Sequence, residues 1–410
     1  MSPFALVAVL MSLVALAGWI NNKTLRLPHG VAMLLAGIVG ALAVFALQSL
    51  FPDRLLLKQI NAVVSGIDFT STVTGYMLAF LLFAGAMQVD LREMQRRWLS
   101  ITALATFGVA GSIIVVGFGL WFIAALIGIP LPLIWALIFG ALISPTDPVA
   151  VLTAVRHVKI SRTITSILQG EALLNDGVGI VAFTALVAIA AGGEANALKT
   201  VGEVAIEGVG GLALGMIASA GVIRLMRTPD DFAVETSMSI ALAMSVYAGA
   251  QALHLSGPIA VVGAGMLFGG QRAKNAMSGE TEAYLKGFWT LVDEILNALL
   301  FLLLGVEMLV VPFYAHESGL LFAAIPLVLI ARFIVITPWG AYYRLRHGER
   351  GGTVILGWGG LHGAISLALA LSLPEGPESR LLLAVTYAVV AFSIAVQGLT
   401  FGPVVKRLAA

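Results

Sequence analysis

The stretch GALISPTDPVAVL at 140–152 places an acid and two prolines in the middle of an otherwise apolar run. Proline has no N–H, so Pro145 and Pro148 leave the carbonyls of Ala141 and Ser144 without their helical donors. In a membrane such carbonyls must meet something positive. A dehydrated monovalent cation fits, with Thr146 adding a hydroxyl or carbonyl oxygen beside it. The plainer alternative is a kink that only bends the helix, which leaves Asp147 without a task. A second apolar run, at 352–373, is interrupted in another way: Gly357, Gly359, Gly360 and Gly363 surround His362.

Around these two breaks, the 410 residues are 59% hydrophobic and 11% charged, against roughly 25% charged in a soluble domain. That excludes an ordinary water-soluble enzyme. Net charge is +1, from 23 Lys and Arg against 22 Asp and Glu, so no basic excess draws nucleic acid. Cys is absent, which removes disulfides, thiolate metal sites and cysteine nucleophiles. The six His form no HExxH, which argues against a zinc hydrolase.

A bilayer-spanning helix needs about 20 mostly apolar residues. Such runs predict an all-α, polytopic membrane protein with about 13 transmembrane spans, near 3–20, 28–50, 70–88, 99–127, 132–155, 163–191, 203–226, 233–253, 256–270, 287–311, 319–343, 352–373 and 381–405. No charged segment precedes the first, which reads as a retained helix and not a signal peptide. Cytoplasmic loops collect Lys and Arg. Of the 23, 18 fall after odd-numbered spans or in the tail, 4 lie on the other side, and Arg332 sits inside span eleven. The N-terminus is therefore expected outside and the C-terminus in the cytoplasm. Spans five and twelve, the interrupted ones, lie seven apart and run in opposite directions. Paired broken helices in two inverted halves point to a midplane transport site, here with spans 1–6 set against 8–13.

An ionisable residue at the bilayer centre costs about 2.5–3.5 kcal/mol on insertion scales, so each one asks for a function. The candidates are Asp147, Glu171, Asp176, Arg332 and His362, with Asp293, Glu294 and Glu307 nearer the ends of span ten, where they guard an entrance or simply end the span. In GEALLNDG at 170–177, Ala172 and Asp176 share one helix face, and Glu171 and Asn175 a neighbouring one. Burial penalises a charged carboxylate. A midplane Asp176 would then hold either a proton or a cation, an exchange mechanism in one residue; the alternative is a structural carboxylate bonded to Asn or backbone. Arg332 is always charged and needs a partner. Glu171 is the expected one, in a pair that repels competing cations or only fixes helix packing. His362 is a proton carrier, a partner for Asp147 or a satisfied core histidine.

At these residues the chain resembles the NhaP-type monovalent cation:proton antiporters, relatives of the animal sodium/proton exchangers. The resemblance rests on Phe80-Leu81-Leu82-Phe83 followed by Val89-Asp90-Leu91-Arg92, SPTDPVAVL at 144–152, GEALLNDGV at 170–178, FLLLGVEM at 301–308, Arg332-Phe333, and GWGGLHGAISLALALSLP at 357–374. It implies an inverted-repeat antiporter fold with two broken crossing helices, usually a homodimer. A mobile core would come from spans 4–6 and 11–13, about 99–191 and 319–405, with the remainder as dimerisation domain. The resemblance also implies a cation- and proton-binding set of Asp176, Thr146, Asn175 and Asp147. Asp176 takes Na+ and proton in turn, Thr146 helps coordinate the ion, and Asn175 and Asp147 hold the broken helices together. Glu171 and Arg332 form a supporting ion pair.

Three departures matter. Ala172 stands where the family often has Ser, which removes one hydroxyl ligand. His362 replaces a usual Arg, exchanging a fixed charge for a titratable one and allowing pH modulation. Ala84 stands where a Glu is frequent.

The expected function is electroneutral exchange of one Na+ or Li+ for one H+ by alternating access, serving pH homeostasis in a bacterial or archaeal plasma (inner) membrane, with no resident cofactor. Relatives with Asp in place of Asn175 move an extra proton, which Asn cannot. Potassium is the nearest rival ion, because Ala172 leaves more room. An intramembrane aspartyl protease on Asp147 and Asp176 is the rival from another class, against which neither Asp lies in a GxGD-type stretch. An ion channel is the third alternative.

Overall fold

Inside lipid an apolar chain satisfies its backbone N–H and C=O groups by forming helices, and helices are what these runs form. The computed structural model describes residues 3–50, 77–89, 91–147, 162–192, 197–228, 230–307, 314–347 and 351–409. Along them run α1 (Pro3–Ile20), α2 (His29–Leu50), α3 (Leu78–Met87), α4 (Trp98–Leu126), α5 (Leu133–Ile143), α6 (Arg162–Ala190) and α7 (Ala197–Leu225). There follow α8 (Phe232–Ala252), α9 (Gly257–Phe268), α10 (Gly279–Glu307), α11 (Ser318–His347), α12 in two pieces, α12a (Gly352–Trp358) and α12b (Ala364–Leu371), and α13 (Pro377–Arg407). Eight helical stretches among the described residues are long and apolar enough to cross a membrane, and four more, in α2, α3, α5 and α9, are shorter and apolar.

Where it is described, each predicted span overlaps one of these helices. Pro148, Asp90 and the second half of span five lie outside the described residues. One boundary differs with consequences. Span ten was expected from 287, yet α10 begins at Gly279. Its first two turns carry Glu280, Glu282 and Lys286, charged but good helix formers, so hydropathy stops short of the true helix start. Asp293 therefore sits in the middle of α10 and not near its end.

The apolar side chains gather in three clusters. The largest joins α2, α4, α5, α11, α12b and α13 with the C-terminal half of α10. A second packs α3, α7, α8, α9 and the N-terminal half of α10 around Trp289, whose ring lies 4.6 Å from that of Phe83 and whose Nε1 donates to Ser239 Oγ at 3.0 Å. The third ties the N-terminal ends of α4 and α6 to α11, α12a and the end of α13.

Helices α2 and α10 touch backbone to backbone. A Cβ at Gly305 would meet the Leu34 carbonyl oxygen, and one at Gly37 would meet that of Leu302. Small residues permit such close crossings in membranes. Gly305→Ala is expected to cost about 1–3 kcal/mol through overpacking, read as a lowered unfolding temperature in detergent. Gly40→Ala, where a Cβ has nothing within 4 Å, should leave it unmoved.

Candidate functional site

Helix α5 stops at Ile143 because Pro145 cannot continue it. The Ala141 carbonyl does not stay open as expected: Ser144 turns back and donates its Oγ–H to it at 2.8 Å. A short side chain one turn along thus supplies the donor that proline removed. Beyond the break the chain runs extended, and Asp147 N donates to Leu361 O at 2.7 Å, the one isolated antiparallel bridge among the described residues. Leu361 lies in the gap between α12a and α12b. The two interrupted helices therefore cross and are joined through their main chains.

The glycines of the second break make room for this crossing. A Cβ at Gly363 would lie 2.7 Å from Asp147 Oδ2, and one at Gly360 would collide with the Arg332 guanidinium. His362 is 5% exposed. Its Nδ1 lies 3.2 Å from the Pro145 carbonyl, an acceptor only, so Nδ1 carries the hydrogen. Its backbone N donates to Ser393 Oγ at 2.9 Å, Ser393 Oγ donates to Gln397 Oε1 at 2.7 Å, and Gln397 Nε2 donates to Trp358 O at 3.2 Å. Ser393–Gln397 is a π-helical turn within α13, and it braces both lips of the break.

Helix α6 brings two polar faces to this crossing. Glu171 and Asn175 look one way. Glu171 takes both guanidinium arms of Arg332: Nη1 to Oε1, and Nη2 to Oε2 at 3.0 Å. Arg332 Nη2 also reaches Leu356 O of α12a at 3.3 Å. Such bidentate, charge-assisted pairs are the strong ones, and this one links α6, α11 and α12a. Asn175 Nδ2 donates to Thr146 Oγ1 at 2.8 Å.

Ala172 and Asp176 look the other way, into a cavity of about 120 Å³ also lined by Thr146, Asp147, Asp293 and Ser366. Thr146 lines as well the small void on the Glu171 side, so the Asn175–Thr146 bond stands as a partition between the two. Asp176 is 8% exposed, and its Oδ1 has no hydrogen-bond partner among the described residues. Across the cavity Asn297 Nδ2 donates to both the backbone O and the Oδ1 of Asp293 at 3.0 Å.

The crossing thus gathers Thr146, Asp147, Glu171, Asn175, Asp176, Arg332 and His362 from four helices. Ala84 is buried in the second apolar cluster, and the polar group at the cavity wall on this side is Gln88, just past the end of α3, beside Leu81, Leu82 and Gly85. Sequence reasoning left Asp293 undecided and missed Asn297 and Ser366. The i, i+4 spacing of Asp293 and Asn297 was the available signal. Among the described residues no group of three or more His, Asp or Glu is placed to hold a metal ion; a monovalent cation here is cargo.

The model of the family described as "Sodium/hydrogen exchanger, transmembrane" matches residues 10–407. The chain belongs to the sodium/hydrogen exchanger family. It is 39% identical over 410 residues to the Na+/H+ antiporter NhaP of Pseudomonas aeruginosa, covering 98% of this chain and 96% of that protein. It is 33% identical over 414 residues to the Na+/H+ antiporter NhaH of Halobacillus aidingensis, with the same coverage. The fold matches the sodium proton antiporter MjNhaP1 from Methanocaldococcus jannaschii with a TM-score of 0.75 at 16% identity, over 100% of this chain and 99% of that one. As a family member the chain is a multi-pass membrane transporter exchanging cations for protons, not an enzyme. The aspartyl protease alternative falls with this finding.

Proposed function

We propose that this exchanger moves one Na+, or one Li+, inward or outward against one H+, with Asp176 as the carrier of both. The observation that carries the reading is the buried Asp176 carboxylate, one oxygen without a partner among the described residues, lining a cavity at the crossing of two broken helices. A carboxylate in such a place is costly alone and is relieved by either a proton or a cation. Because each neutralises the same single charge, the loaded site is alike in both directions and exchange is electroneutral. Asn175 adds no second carboxylate, and Thr146 offers its oxygen beside the ion. His362, its Nδ1 hydrogen directed at Pro145, serves as a strut for the crossing. Glu171 and Arg332 hold α6 against α11 and α12a.

In this reading α4–α6 and α11–α13 move as one body against the remaining helices, which form the contact with a second copy. The protein lies in the plasma membrane, N-terminus outside, C-terminus in the cytoplasm, as the Lys and Arg bias suggests. That relatives are named Na+/H+ antiporters supports Na+ as the cargo.

The test uses proteoliposomes carrying a pH dye, with Na+, Li+ and K+ added in turn and the membrane potential clamped at several values. Na+ and Li+ should move protons at rates that do not change with potential. A rate that follows the potential would replace one-for-one exchange by an electrogenic cycle, and proton movement with K+ alone would make the rival ion the cargo.

A further inference from the structure

Ala172 shares the inner face of α6 with Asp176 and brings no oxygen to the cavity, so a cation held by Asp176 must find a hydroxyl elsewhere. Several described Ser and Thr in these helices spend theirs on a carbonyl three or four residues back, as Ser12 does on Ala8, Ser245 on Ala241 and Thr386 on Leu382. Ser366 does not. It stands in the first turn of α12b, and the residues behind it are Gly363 and His362, in the break itself. Gly363 has φ −139° and ψ −144°, so the chain leaves the helix there and the His362 carbonyl, four residues behind Ser366, is out of helical position. The side chain is 1% exposed, its Oγ has no partner among the described residues, and it lines the Asp176 cavity. Ser219 Oγ is also without a partner among the described residues but does not line this cavity.

A buried hydroxyl without a partner is costly, and here two such oxygens, Ser366 Oγ and Asp176 Oδ1, border one small cavity. The positive end of α12b points toward the same place. The Asp147 carboxylate, packed against Gly363, offsets it. We propose that Ser366 is a cation ligand of the exchanger, supplying from α12b the hydroxyl that Ala172 lacks on α6. The inference rests on the exchanger reading above and adds a residue that sets its ion affinity. It also means that both broken helices, through Thr146 and Ser366, touch the ion together with α6.

Half-saturating Na+ and Li+ concentrations and maximal rates are compared in proteoliposomes for the native protein, Ser366→Ala, Ser366→Thr and Ser366→Ala combined with Ala172→Ser. Proton release on Na+ binding to the detergent-solubilised protein gives affinity without transport. Ser366→Ala should raise half-saturating Na+ about tenfold, the loss of one charge-assisted contact, with the maximal rate within about twofold by the same argument. Ser366→Thr keeps the hydroxyl and should stay near native, and Ala172→Ser should recover most of the affinity lost by Ser366→Ala. Native exchange with an unshifted half-saturation in Ser366→Ala overturns the assignment. If Ser366→Ala is inactive, Ser366→Thr decides: native-like affinity upholds it and a tenfold rise overturns it. A native protein that moves no protons with Na+ would instead overturn the exchanger reading itself, a distinct result.

Discussion

Asp176→Asn is expected to stop cation-dependent proton movement altogether. Asparagine keeps the size and shape of the side chain but can take neither a proton nor a balancing negative charge. Opposite unit charges about 4 Å apart in surroundings of effective dielectric about 20 attract by about 4 kcal/mol. Losing that attraction weakens cation binding by about a thousandfold, below what a pH dye in proteoliposomes can follow. The variant should fold at least as well as the native protein, because it removes a buried carboxylate whose Oδ1 has no partner among the described residues. Equal expression and an unfolding temperature equal to or above native, with no exchange, is the expected pair of results. Retained exchange would place the carrier elsewhere, with Asp147 and Asp293 the other acids on the same cavity.

The second large effect concerns stability. Glu171 and Arg332 are 2% and 8% exposed and are joined through both guanidinium arms. Removing one partner of a buried pair strands the other charge, which costs about 3–5 kcal/mol. Arg332→Met and Glu171→Met should therefore each lower the unfolding temperature in detergent sharply. The double variant should be less damaged than the sum of the two, since it leaves no uncompensated charge and the coupling of contacting residues appears as that shortfall. Simple addition of the two losses would mean that each residue acts through other contacts, such as Arg332 on the Leu356 carbonyl.

The parts of the site legible in the sequence are those where chemistry dictates backbone or pairing. Pro145 ends α5 whatever surrounds it, and the glycines around His362 mark a second break for the same reason. Helical periodicity separates Ala172 and Asp176 from Glu171 and Asn175, and the structure sends the two pairs into different spaces. Arg332 needs an acid, and few acids are available at its depth. What stayed hidden depends on geometry that no local pattern encodes. The reach of α10 back to Gly279 carries Asp293 to mid-helix through charged turns that hydropathy discards. Ser366 Oγ lacks a partner among the described residues, and the break that takes the His362 carbonyl out of helical position is not written in its local sequence. The bracing of His362 by Ser393 and Gln397 comes from a π-helical turn that composition does not announce.

The two broken helices are fastened to each other by Asp147 N and Leu361 O, atoms that every residue type except proline provides. The fastening itself therefore uses no side chain, and asks only that Gly360 and Gly363 keep the crossing open. Thr146 and Ser366 hang from a frame that does not depend on their identity, so a lineage can retune which ion it prefers by single substitutions without first dismantling and rebuilding the crossing.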